Sequence, residues 1–265
     1  LLFLRKAVAG ERGDAAAAAL LAVALHDSGR LEESLEAHNR AVLLKPDSWE
    51  YQFNFANALE DAGRLQEAVD RLRTAAALEP AAADAWSNLG RLLQTLHQTQ
   101  EATSACRRAI ACQPDHAPAW VNLAALLKES GRWEEALDCC RRAVELAPDD
   151  ADAQRNLGLT CVALRNFSEG LAALERAARL RPESAEIHAD LAGALREVGR
   201  EEACVEELRQ ALERYPGHPR AWRNLADVLA SPEAAKKERR GRAAGRERPL
   251  GRPGRGAPGP AAVPW

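Results

Sequence analysis

Hydrophobic and small residues return along this chain in two alternating helical registers. In residues 117–150, Trp120, Leu123, Ala124 and Leu127 fall on one face of a first helix, and Ala136, Leu137, Cys140, Ala143 and Val144 on one face of a second. The Gly131-Arg132 pair between them predicts the turn, because glycine takes the positive φ that ends a helix. Pro148 closes the second helix, and Asp149 and Asp150 bring acidic residues to the start of the next. The same pattern returns every 34 residues. Pro46, Pro80, Pro114, Pro148, Pro182 and Pro216 keep that spacing, as do Ala7, Ala41, Ala75, Ala109, Ala143, Ala177 and Ala211. Leu21, Phe55, Leu89, Leu123, Leu157, Leu191 and Leu225 hold a third position, each followed by alanine or glycine, so large side chains meet small ones along one seam. A fixed period of this length is the signature of a stacked array, and the fold class it predicts is all-α, an α-solenoid of helix–turn–helix units.

The residues Trp120-x-x-Leu123-Ala124-x-x-Leu127, Ala136, Ala143 and Pro148 resemble the tetratricopeptide repeat (TPR), and the resemblance runs over residues 1–230. It implies a right-handed superhelix whose first helices line the concave surface. Leucine or cysteine stands for the family's tyrosine, and His38, Leu72, Cys106, Cys140, Leu174 and Leu208 stand for its phenylalanine, which reads as size-tolerant core exchange. The register gives six full repeats: 15–48, 49–82, 83–116, 117–150, 151–184 and 185–218. Residues 1–14 align with the second helix of a truncated repeat, and 219–230 with a seventh first helix expected to cap the array. With no methionine anywhere and a start in mid-repeat, the chain reads as a fragment. Four turns carry Gly-Arg, but His97-Gln98 and Arg165-Asn166 replace it. A non-glycine residue in the left-handed region costs about 1–2 kcal/mol, so these two are expected to take a slightly different turn.

Composition changes the picture at the C-terminus. Residues 231–265 are rich in arginine, glycine, proline and alanine, with nine basic against three acidic residues, and read as a disordered basic tail. The whole chain sums to −3, so the remainder carries −9. The longest apolar run, Ala15 to Leu25, has 11 residues where a membrane span needs about 20, and no membrane partner is expected. Six cysteines without a C-x-x-C pair support neither zinc nor a disulfide framework. Buried reduced thiols are expected, and with them a cytoplasmic or nuclear setting.

No catalytic constellation emerges, and neither an enzyme activity, a cofactor nor a small-molecule substrate is expected. The histidines show no H-E-x-x-H spacing, and no G-x-S-x-G elbow, P-loop or dinucleotide fingerprint is present. Glu134-Glu135 and Glu201-Glu202 sit early in second helices, where carboxylates favour the positive helix end.

The positions with functional content are polar. Sixth in the repeat stand Asn54, Asn88, Asn122, Asn156 and Asn224, with Asp190 in the sixth repeat. In the TPR fold this position resembles one that faces the groove. An amide carries donor and acceptor and can pair with the backbone of an extended peptide without reading its side chains. Helices about 8–10 Å apart and a chain advancing about 3.3–3.6 Å per residue would bring a rung to roughly every third peptide residue. Such a ladder is similar to the repeat arm of the O-GlcNAc transferases. The two-carboxylate clamp of chaperone-binding TPR domains is not expected, because Arg91, Lys128, Arg155 and Arg196 are scattered. Three readings follow: a non-catalytic scaffold binding an extended protein segment in its concave groove, the substrate-recognition arm of a truncated glycosyltransferase, and a nucleic-acid-associated protein acting through Lys236-Lys237-Glu238-Arg239-Arg240 and its neighbours. The first is favoured.

Overall fold

A computed structural model describes residues 14–230, so the expected truncated helix at 1–14, apart from Asp14, and the tail at 231–265 lie outside the described residues. Thirteen α-helices and no strand occur among the described residues. They are α1 Ala15–Asp27, α2 Leu31–Leu44, α3 Trp49–Asp61, α4 Leu65–Leu78, α5 Ala83–Thr95, α6 Thr99–Cys112, α7 Ala117–Glu129, α8 Trp133–Leu146, α9 Ala151–Ala163, α10 Phe167–Leu180, α11 Ala185–Glu197, α12 Glu201–Arg214 and α13 Pro219–Leu229. Each odd-numbered helix up to α11 forms a hairpin with the next, and among the described residues each hairpin packs chiefly on its neighbours in sequence. The result is an α-solenoid.

Backbone chemistry sets where each helix starts and stops. Asp14, Ser48, His116, Asp150, Ser184 and His218 cap first helices by accepting from backbone N–H groups, for example Asp152 N to Asp150 Oδ1 at 2.8 Å. His116 and His218 therefore share one role, each accepting at Nδ1 over 3.2 Å. Every hairpin turn closes with the same pair of hydrogen bonds, such as Gly63 N to the Glu60 oxygen and Arg64 N to the Leu59 oxygen, both at 2.8 Å. At the far end, the residue before each proline leaves helical space, as Lys45 does at φ −142° and ψ 77°.

Two turns correct the sequence expectation. His97 and Arg165 sit at φ 58° and 63°, beside 72–74° for the four turn glycines, and Gln98 N and Asn166 N complete the motif at 2.8 Å. The turn is retained rather than altered. Its hydrogen bonds and the packing on either side hold two side chains in a region that glycine occupies without strain.

The core is a continuous seam of large residues against small ones. Ala41, Ala75, Ala109, Ala143, Ala177 and Ala211 are all fully buried, between Leu59, Leu72, Leu93, Leu174 and Leu208, which are equally enclosed. At one tight crossing, a Cβ on Gly158 would lie 2.5 Å from Leu174 Cγ and 2.9 Å from the Gly170 oxygen, so α9 and α10 approach as glycine alone allows. Five of the cysteines are buried in this seam, as expected, and Cys112 is exposed at the end of α6 instead. Burial pushes the thiols of Cys106 and Cys161 up to about 12 and that of Cys139 up to about 11, which keeps them protonated.

One tie recurs through the array. The fourth residue of the repeat donates a side-chain N–H to the carbonyl of the proline six residues earlier: Gln52 to Pro46 (3.2 Å), Trp86 to Pro80 (3.1 Å), Trp120 to Pro114 (2.9 Å), Gln154 to Pro148 (2.9 Å), His188 to Pro182 (3.0 Å) and Trp222 to Pro216 (2.7 Å). Each of these residues has a ring or amide N–H, and each ties the linker between hairpins to the helix that follows.

Candidate functional site: the inner face of the array

Consecutive first helices α5, α7, α9, α11 and α13 touch one another, whereas contact between consecutive second helices is negligible by comparison. First helices therefore form the inner wall of the curve. Across that wall run hydrogen bonds and ion pairs, each linking a first helix to the next.

The asparagines lie in this wall. Asn88 donates its Nδ2 to Asn57 Oδ1 at 3.1 Å, and Asn122 donates its Nδ2 to both the carbonyl and the hydroxyl oxygen of Ser87 at 3.2 Å. Asn156 is turned the other way, its Oδ1 accepting from Lys128 Nζ at 2.6 Å. Burial draws the Lys128 ammonium below its usual range. Asn54 is exposed, and Asn224 is half-buried beside Arg220 and Arg196.

Asp190 departs from the pattern expected of it. Its side chain is 1% exposed, with Oδ2 bound by Arg155 Nε and Oδ1 by Arg220 Nη2, both at 2.5 Å. Two guanidinium groups from the repeats on either side saturate one carboxylate, so Asp190 is not an open rung; it joins α9, α11 and α13. A full buried charge is tolerated there because both oxygens have charged donors.

The basic residues of the inner wall that sequence reading singled out are each tied to a partner on a neighbouring repeat. Arg91 makes a two-pronged pair with Glu60 at 2.5 and 2.6 Å, Arg155 joins Asp190, and Arg196 reaches Asp227 at 3.4 Å. His26 pairs with Asp61 at 3.0 Å, and Gln94 with Glu129 at 2.5 Å. These are links between neighbouring repeats, which sequence reading passed over. Their signal was present as complementary residue types about 28–35 positions apart, but many other pairs share that spacing. Among the described residues no group of three or more histidine, cysteine or acidic side chains is placed to hold a metal ion, and no helix is long and apolar enough to cross a membrane.

Three family models, each describing the tetratricopeptide repeat, match residues 53–117, 115–183 and 185–228. The chain belongs to the tetratricopeptide repeat family. Solved TPR structures share the architecture. The APC/C hetero-tetramer Cut9–Hcn1 superposes with a TM-score of 0.76 at 16% identity, over 86% of this chain and 45% of that one. PilF of Pseudomonas aeruginosa gives 0.69 at 15% identity, over 80% and 97%. YrrB, a TPR protein with an unusual peptide-binding site, gives 0.55 at 22% identity, over 71% and 97%. This TPR chain thus spans less than half the length of the Cut9–Hcn1 chain. No curated protein matches its sequence.

Proposed function

We propose that this TPR array is a non-catalytic scaffold that holds an extended polypeptide segment along the inner wall of its first helices, gripping backbone more than side chains. The observation that carries the reading is how the amides are fixed. Asn88 and Asn122 spend an Nδ2 on the preceding helix, which leaves Oδ1 as an acceptor for a peptide N–H. Asn156 spends Oδ1 on Lys128, which leaves its Nδ2 for a peptide carbonyl. Side chains held this way lose little freedom on binding, and preorganisation lowers the cost of association.

Asn54 and Asn224 extend the row at its two ends, while the rung at Asp190 is filled from within by Arg155 and Arg220. The chain's similarity in fold to YrrB is in keeping with a peptide ligand. The reading is tested by selecting binders to the full chain from a random peptide library. Competition among the selected peptides, and its loss on substituting Asn122 and Asn156 with alanine, would place them on the inner wall. Peptides indifferent to both substitutions would remove the amides from the account.

A further inference from the structure

At the junction of the first two hairpins the inner wall opens into a cavity of about 200 Å³. Its floor is His38, which is only 5% exposed. Other repeats place Leu72, Cys106, Cys140, Leu174 and Leu208 at this register position, all at 0–1% exposure, so the imidazole is a polar group in an apolar slot. It stacks on Phe55 with ring centroids 6.1 Å apart and an interplanar angle of 12°. Neither ring nitrogen has a hydrogen-bond partner among the described residues. No fully enclosed side-chain nitrogen or oxygen lacks a partner among the described residues, so neither ring nitrogen is completely sealed, and the cavity is the space that the His38 side chain lines. Burial and, secondarily, repulsion from His26 push the His38 pKa down to about 4, so the ring is neutral near pH 7 and offers one donor and one acceptor.

The other walls narrow the choice of ligand. Asn57 already accepts from Asn88 through Oδ1, so it presents its Nδ2 hydrogens. Asn54 is exposed at the rim with a complete amide. Val23 and Ala58 supply apolar surface, and the Asp61 carboxylate, paired with His26, repels an anion. A cation would need a carboxylate that His26 already occupies. What fits is a neutral group that accepts and donates at once and is carried on a short apolar stem. We propose that this cavity is a subsite for the primary amide of a glutamine or asparagine side chain of the bound polypeptide. Its carbonyl accepts from Asn57 Nδ2, its NH₂ donates to Asn54 Oδ1 and to the unprotonated nitrogen of His38, and its methylenes lie on Val23 and Ala58.

The proposal rests on the inner-wall reading only for the source of the amide, and a small probe tests it separately. The full chain, labelled with ¹⁵N at histidine, is titrated with N-acetylglutamine N-methylamide, and the His38 ring resonances are followed. A saturable shift is expected, with a Kd on the order of 1–10 mM for a ligand of this size. The glutamate and leucine analogues should leave the resonances unmoved. The response should vanish in Asn57→Ala and survive in the Asn122→Ala/Asn156→Ala variant. In His38→Leu, which takes the residue of other repeats and so keeps the fold, saturation transfer to the probe should fall at least tenfold. An absent shift, an equal response to the leucine analogue or a stronger one to the glutamate analogue would overturn the assignment. Each of these outcomes leaves the amide row at Asn88, Asn122 and Asn156 to be judged on its own.

Discussion

Trp120 donates its indole N–H to the carbonyl of Pro114 across 2.9 Å, joining the start of α7 to the linker behind it. The bond satisfies a carbonyl just beyond the end of α6 that the helix ladder cannot reach. Trp120→Phe keeps an aromatic ring and removes the donor. A loss of about 1 kcal/mol is expected in urea unfolding, with increased amide exchange confined to α6 and α7. An unchanged denaturation midpoint would mean that packing alone fixes the linker.

His38 makes stability depend on pH. Its pKa is about 4 in the folded chain against 6.5 for an ordinary histidine, so between these values the unfolded state binds the proton and the folded state does not. The contribution is complete above about pH 6.5 and is lost as pH falls towards about 4, reaching on the order of 2 kcal/mol by pH 5. His38→Leu should flatten that part of the stability profile. Parallel profiles for the two proteins between pH 7 and pH 5 would contradict the assignment.

The left-handed turns at His97 and Arg165 hold strain that glycine would relieve. His97→Gly and Arg165→Gly should each raise stability by about 0.5–1 kcal/mol, the steric relief being partly offset by the greater freedom of glycine in the unfolded chain. Thermal melts of the single and double variants check this. Destabilisation on both substitutions would show that the side chains, including the Arg165 guanidinium 5.7 Å from the Phe167 ring centre, outweigh the backbone cost.

Asp190→Asn should loosen the three repeats that Arg155 and Arg220 clasp together. Removing the charge while keeping the shape is expected to cost on the order of 2 kcal/mol, less than for a fully buried pair because both guanidinium groups remain partly in water. Faster hydrogen exchange in α9, α11 and α13, with α1 to α4 unaffected, is the expected pattern. Uniform exchange along the array would place the role of Asp190 elsewhere.

The 34-residue beat of alanine, leucine and proline was enough to read the paired helices, because burial and helix crossing act on every copy alike. The tie from Trp120 to Pro114 was harder to see. Tryptophan, glutamine and histidine look unrelated on a hydropathy scale and agree only in having a side-chain N–H. Asp190 sits in the asparagine register, yet its burial depends on Arg155 and Arg220 from two other repeats, and no local pattern encodes that meeting. His38 passed for a core exchange because its register position is apolar elsewhere; its difference from those copies shows only in the cavity that its side chain lines.

Backbone gripping by the inner-wall amides is tested most directly by titrating one selected peptide in two modified series, one with alanine at each side chain in turn and one with each backbone amide N-methylated in turn. N-methylation at two separate peptide positions, those meeting Oδ1 of Asn88 and of Asn122, should weaken binding by roughly tenfold each, while most alanine substitutions change little. Asn88→Ala and Asn122→Ala should abolish the sensitivity of one position apiece. Affinity that follows the side chains and ignores N-methylation would contradict the account.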